Sequence, residues 1–167
     1  CRVQKMSMED AIDGTRQRLI QSVKLRLRSD VPLAFCLSGG VDSSSLVSIA
    51  SKIFNYDVAS FSIIDEDKRY DEEDLIDATI DDIGCINTKI RLSPGENNLR
   101  RLRELVAYHD APVATISYFV HSLLSEAISA NGYRISVSGT GADEIFTGYY
   151  DHFNLHLFEM RNHPGFH

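Results

Sequence analysis

The sequence has little of what a secreted, membrane-bound or nucleic-acid-coating protein needs. No apolar run approaches the roughly 18 residues that span a bilayer, and the opening Cys1-Arg2-Val3-Gln4-Lys5 carries no apolar signal segment. There is no Asn-x-Ser/Thr glycosylation acceptor. Cysteine is limited to Cys1, Cys36 and Cys85, odd in number and without a CxxC pair, which fits a reducing compartment better than a disulfide framework or a zinc site. The expected location is the cytoplasm, with no membrane partner. Basic residues are scarce as well: 17 Lys and Arg against 24 Asp and Glu leave a net charge of −7, which argues against a nucleic-acid partner held by a broad basic face. Only a short strip, such as Lys24 to Arg28, offers local positive charge. Internal repeats, low-complexity tracts and linkers are also missing.

What is present suits one globular domain with a real core: 167 residues, 43% apolar and 25% charged. Ser7 can cap a helix, with Asp10 three residues on as a weaker form of the capping box. Met8, Ile12, Leu19, Val23 and Leu27 then recur near the helical period and predict a helix to about Arg28. Asp30-Val31-Pro32 breaks it, and Leu33-Ala34-Phe35-Cys36-Leu37 is an unbroken apolar run, the pattern of a strand buried on both faces of a parallel sheet. The same grammar predicts helix 44–54, strand 58–64, helix 71–83, strand 86–92, helix 94–108 after a Ser93 cap, helix 117–130 and strand 134–137. The fold class is therefore α/β: an open, mostly parallel, Rossmann-like sheet flanked by helices, with its ligand beyond the carboxyl ends of the strands. The acidic stretches Asp65-Glu66-Asp67 and Asp71-Glu72-Glu73-Asp74 read as a surface loop and a helix N-terminus.

Two segments follow strands where that rule puts a ligand. Leu37-Ser38-Gly39-Gly40-Val41-Asp42-Ser43-Ser44 leads from the first strand into a helix. Its two glycines permit close approach to an anion, its hydroxyls are donors, and the helix N-terminus adds unpaired N–H groups. It lacks the Lys of a G-x-x-x-x-G-K-[ST] loop and carries Asp42, which would repel a phosphate unless a divalent cation, Mg²⁺, sat between them. The plainer alternative is an ordinary βα turn of small residues. The second segment, Ser138-Gly139-Thr140-Gly141-Ala142-Asp143-Glu144-Ile145-Phe146-Thr147-Gly148-Tyr149, begins like a dinucleotide G-x-G-x-x-G, but Glu144 stands at the last glycine position and would crowd the helix packing there. Asp143 is placed either to share a metal with Asp42 or simply to cap a helix.

Together these strings resemble the synthetase domain of glutamine-dependent asparagine synthetases, within the N-type ATP pyrophosphatase (PP-loop) superfamily, whose fold is adenine nucleotide alpha hydrolase-like. The resemblance extends to Ser29-Asp30-Val31-Pro32, Phe61-Ser62-Ile63 and Tyr70-Asp71-Glu72, and so spans almost the whole chain. It implies a ligase that uses ATP and Mg²⁺ to convert a small carboxylate, aspartate, to an acyl-adenylate with release of pyrophosphate. Ammonia from a glutaminase domain of the same polypeptide then displaces AMP. By this resemblance Ser38, Gly39, Gly40, Ser43 and Ser44 wrap pyrophosphate, Asp42 and Asp143 hold Mg²⁺, and Leu37, Ile63, Ser138 and Gly139 contact the nucleoside. Residues 1–167 are then expected to be the ATP-pyrophosphatase domain alone, without the glutaminase domain and the C-terminal helical part; a homo-oligomer is compatible with that expectation. Cys1 invites a reading as the N-terminal nucleophile of a glutaminase, but the helix that follows at once leaves that fold no room.

The chain departs from the family pattern at Thr140, where the family usually has a Glu implicated in handling the acyl-adenylate or its amination, and at Thr147, where it usually has Gly. A hydroxyl cannot replace an anionic base, so Thr140 joins Asp42 and Asp143 as a candidate catalytic position at which chemistry or substrate diverges. The alternatives are thus an amidotransferase or lactam-forming relative acting on another carboxylate, and a non-catalytic nucleotide-binding domain. A tRNA-modifying pyrophosphatase is disfavoured by the acidic charge and the lack of paired cysteines. Among the remaining residues, Tyr149, Phe153, His156 and Met160 are spaced as one helix face awaiting a partner domain rather than as part of a metal patch with Tyr150, His152 and His163. His109 suits a helix C-terminus, and Tyr118 and His121 are candidates for an acceptor pocket.

Overall fold

In the computed structural model, which describes residues 6–65, 67–91 and 97–162, helix α1 (Met8–Arg26) begins at the Ser7 cap. The Ser7 hydroxyl accepts the Asp10 N–H at 3.1 Å and donates to the Asp10 carboxylate at 2.6 Å, so Asp10 returns its bond to the hydroxyl rather than to a backbone N–H. Strand β1 (Leu33–Cys36) follows, and its side chains are sequestered on both faces as the unbroken apolar run predicts. Leu33, Phe35 and Leu37 join Val23, Val47 and Ile76 in the larger core, whereas Ala34 meets Phe61 and Ile128 on the opposite face. Phe35 is 1% exposed; burying a side chain of that size contributes about 2–3 kcal/mol.

Helix α2 (Val41–Ser48) starts three residues earlier than the periodicity predicts, directly after Gly40, and continues as a π-helical turn over Ile49–Ile53. The wider turn ends with the Tyr56 N–H on the Ala50 carbonyl, and the Tyr56 hydroxyl accepts the Leu33 N–H at the start of β1. Strand β2 (Ala59–Ile64), helix α3 (Glu73–Ile83) and strand β3 (Ile86–Arg91) come next. Helices α4 (Asn98–His109) and α5 (Ile116–Ala130) lead to strand β4 (Ile135–Val137), then to α6 (Ala142–Phe146) and α7 (Tyr150–Met160). Helix α4 is capped by Asn97, which accepts the Arg100 N–H at 3.0 Å. The expected Ser93 cap, Pro94 and Leu92 lie outside the described residues, as do Cys1, Glu66 and His163.

All strand pairs are parallel, in the order β3-β2-β1-β4. The chain builds outward from β1 to β3, then returns past β1 to place β4 on its other side. Connections leaving β1 and β4 therefore diverge at a topological switch point, where an open α/β sheet leaves a crevice beyond the strand ends. The acidic run at α3 is more specialised than a generic helix N-terminus. Asp71 accepts the Glu73 N–H at 2.9 Å, while Glu73 pairs with Lys89 at 2.9 Å and Arg91 at 2.7 Å, fastening α3 to β3. Those hydrogen bonds, Lys89 first, hold the Glu73 carboxyl below its ordinary range; bonds to Asp77 and Glu73 push the Lys89 ammonium up.

Candidate functional site

The register pairs Phe35 with Val137, so the residues after β1 and β4 emerge side by side. Beyond them lies a cavity of about 440 Å³ bordered by Leu37, Ser38, Gly40, Asp42 and Ser43 from the first turn and by Ser138, Gly139, Thr140 and Asp143 from the second. The two segments touch without a gap. A Cβ on Gly139 would stand 3.0 Å from the Asp42 Cβ and 3.1 Å from the Ser43 backbone nitrogen, so glycine is what lets the second segment lie against the start of α2.

Inside the first turn, hydroxyls are spent on the loop's own shape. Ser43, which is buried, accepts the Ser38 N–H at 3.1 Å and lies 2.9 Å from the Ser38 carbonyl and 3.0 Å from the Ser38 hydroxyl. The Ser44 hydroxyl meets Thr79 of α3 at 3.2 Å and does not border the cavity, and neither does Gly39. Gly39 faces α3 instead: an added Cβ would come within 2.7 Å of the Glu72 Cβ and 2.9 Å of the Leu75 Cβ. Of the two glycines read as admitting an anion, Gly39 is thus required by packing against a helix.

Asp42 and Asp143 border the same cavity, and neither takes part in an ion pair among the described residues. Among the described residues no Lys or Arg borders it. Two free carboxylates in a cavity otherwise lined by neutral groups and one histidine make a hard oxygen donor set that suits Mg²⁺. Among the described residues no group of three or more His, Cys, Asp and Glu could enclose a metal, so an ion here would take its other ligands from phosphate and water, as Mg²⁺ commonly does. Asp143 is seated by Gly148, whose α-carbon lies so near that a Cβ there would meet Asp143 Oδ1 at 1.9 Å. The intervening Thr147 adopts φ 60°, ψ 40°, a left-handed conformation that explains why glycine suits that position and that a β-branched residue occupies at some strain.

Ile63, which the resemblance assigns to the nucleoside, borders the cavity, as do Phe61 and Cys36. Burial pushes the Cys36 thiol up, so it stays protonated. Sequence reasoning missed the far wall, formed by Val120, Leu124, Ser125 and Ile128 of α5. Their signal was the i, i+4 spacing of Val120, Leu124 and Ile128, which marks one helix face without saying what it faces. His121 borders the cavity and Tyr118 does not. Thr140 is exposed at the cavity and accepts a hydrogen bond from the Ser138 hydroxyl at 3.0 Å. On α7, Phe153 and Phe158 are more than half exposed; just before it the Tyr149 hydroxyl donates to Glu144 at 2.7 Å, a bond that holds the Glu144 carboxyl below its ordinary range and pushes the Tyr149 phenol up. Among the described residues no helix is long and apolar enough to cross a membrane.

Comparison with known proteins bears on the family and the fold. The family model described as asparagine synthase matches residues 14–166. The glutamine-hydrolyzing asparagine synthetase 1 of Bacillus subtilis is 35% identical over a match covering 83% of this chain and 21% of that protein. Amidase chyE of Penicillium rubens is 29% identical, covering 94% of this chain and 25% of its own length. The chain thus spans about a quarter of the length of these relatives. Among solved structures, an NH3-dependent NAD synthetase from Campylobacter jejuni, in complex with nitrate, superimposes with a TM-score of 0.50 at 14% identity, covering 87% of this chain and 62% of that one, which shows a shared fold.

Proposed function

The chain belongs to the asparagine synthase family, and from that membership we propose that its site activates a carboxylic acid with ATP for attack by ammonia, converting aspartate to asparagine with release of AMP and pyrophosphate. The observation that carries this reading is that the turns after β1 and β4 bring Asp42 and Asp143 to one cavity at the switch point of the sheet. In the first step an oxygen of the acid attacks the α-phosphorus of ATP, and the bond to the bridging oxygen breaks with its electrons leaving on pyrophosphate. Ser38, Gly40 and Ser43 border the space for the leaving group, and the α2 N-terminus points partial positive charge in the same direction. Mg²⁺ held by Asp42 and Asp143 would supply the charge that neutralises that group. Leu37, Ile63, Phe61 and Ile128 give the adenine an apolar seat. Gly39 and Ser44 act through the loop's shape, because neither borders the cavity.

In the second step ammonia attacks the acyl carbon, AMP departs with the bonding electrons, and a proton must leave nitrogen. Thr140 cannot take it as a carboxylate would, and Asp42 and Asp143 would be engaged by the cation, which leaves His121 as the proton acceptor bordering the cavity. A glutaminase domain of the same polypeptide would supply the ammonia, a reading supported by the glutamine-hydrolyzing relatives, and the cytoplasm is the compartment that the cysteine usage favours. Thr140 also supports a second reading, in which the acid is not aspartate; the amidase-named relatives are consistent with it. The test is pyrophosphate release from the complete polypeptide with Mg·ATP and ammonium, with aspartate and a panel of other carboxylic acids offered separately. Release with aspartate supports the first reading and release with another acid the second. ATP bound without release for any acid would leave a nucleotide-binding domain without turnover.

A further inference from the structure

The Glu72 carboxylate accepts the Gly39 N–H at 3.1 Å, across 33 positions of sequence. Two independent features show that this contact is built rather than incidental. Glu72 is the N-cap residue of α3 yet makes no capping bond with its side chain, which turns to Gly39 instead, while Asp71 accepts the Glu73 N–H. Gly39 presses so close to α3 that any side chain at 39 would strike Glu72 and Leu75. The neighbours of Gly39 turn the other way: Ser38 and Gly40 both border the cavity, whereas Gly39 and Glu72 do not. The contact therefore grips the loop from behind.

We propose that Glu72 is the positioning residue of the 37–44 turn, holding the Gly39 peptide toward α3 so that Ser38, Gly40 and the start of α2 face the space for the phosphates. A Gly-Gly sequence has wide backbone freedom, and without an acceptor behind it the Gly39 peptide can rotate, so that ligand binding must supply the ordering. The inference rests on the reading that this turn binds Mg·ATP. Glu72 does not border the cavity, so its effect runs through the turn.

The test compares the parent, Glu72→Ala and Glu72→Gln in the complete polypeptide by Mg·ATP titration calorimetry and by hydrogen exchange of the peptide containing Gly39, with Asp42→Ala as the control for the site. A charge-assisted bond of this kind corresponds to up to about tenfold in affinity. Glu72→Ala is expected to weaken Mg·ATP binding about three- to tenfold and to speed exchange at Gly39, with unfolding unchanged because the Glu72 side chain makes no capping bond to α3. Glu72→Gln keeps an acceptor oxygen and should restore both readouts to within about twofold. Tighter binding in both variants would mean that Glu72 only repels the nucleotide, and would overturn the proposal. Unchanged affinity in Glu72→Ala while Asp42→Ala loses binding would overturn it too, leaving the site's reading intact. A parent that binds no Mg·ATP refutes that reading instead; exchange at Gly39 then decides, and a rate unaltered in Glu72→Ala overturns the positioning role.

Discussion

Gly148→Ala separates a carboxylate that serves a metal from one that merely decorates a helix. Gly148 is exposed, and its φ is not in the left-handed region, so alanine adds no backbone strain. Its N–H bond to the Asp143 carbonyl at 3.0 Å, which closes α6, survives the substitution. The new methyl, however, would lie 1.9 Å from Asp143 Oδ1, 2.7 Å from Cγ and 3.1 Å from Cα, where ordinary contact begins near 3.4 Å. The backbone contact can be absorbed by a few tenths of an ångström, but the carboxylate oxygen must withdraw by about 1.5 Å, which sends the side chain to another staggered well. Misplacing a group at a reacting centre by about 1 Å costs on the order of a hundredfold, and disturbing the support of a metal ligand about ten- to a hundredfold. Mg·ATP affinity measured by calorimetry should therefore fall at least about tenfold in Gly148→Ala, approaching the loss in Asp143→Ala, while the unfolding transition stays sharp. A folded Gly148→Ala protein that binds Mg·ATP as the parent does, beside an Asp143→Ala protein that does not, would refute the claim that the Gly148 contact sets the carboxylate.

Three further outcomes follow from the same geometry. Cys36 borders the cavity with its thiol held protonated by burial, so it should react slowly with iodoacetamide at about pH 8 and more slowly still with Mg·ATP bound; labelling unaffected by nucleotide would place the ligand elsewhere. Thr147→Gly should raise stability to chemical denaturation by up to about 1 kcal/mol, because glycine relieves the left-handed strain at some cost in unfolded-state entropy, and a loss of stability would show that the Thr147 hydroxyl bond to the Phe146 carbonyl outweighs it. The Glu73 carboxyl is held low by Lys89 and Arg91, so its contribution is present above the unfolded carboxylate pKa and lost as pH falls through the lowered folded value. The difference in Tm between the parent and Glu73→Gln should accordingly shrink on acidification from about pH 7 to about pH 2, and a constant difference would mean that the ion pair contributes nothing.

The α/β class and the two turns that border the cavity were legible because they depend on local pattern. An apolar run such as Leu33–Leu37 makes sense only with both faces covered, and a Gly-rich turn between strand and helix is recognisable from its own residues as a candidate anion site. Element boundaries shifted where a cap or turn outside the periodic pattern took control: α2 begins at Val41 because Gly40 ends the turn, and Tyr56 closes a π-helical turn that no apolar spacing announces.

The sequence by itself thus determined the parallel sheet, the two glycine-bearing turns after β1 and β4 and the pair of aspartates within them, each encoded by neighbours along the chain. Tertiary structure decided what those residues do for one another. Strand order put the ends of β1 and β4 side by side, and α5 became the cavity's far wall. Gly39 proved to serve helix α3, Gly139 the start of α2, and Gly148 the seat of Asp143. Glu72, one acid in a run of four, proved to grip a loop 33 positions away. A glycine announces that something comes close, but which atom comes close depends on segments distant in sequence, and only the packed fold specifies it.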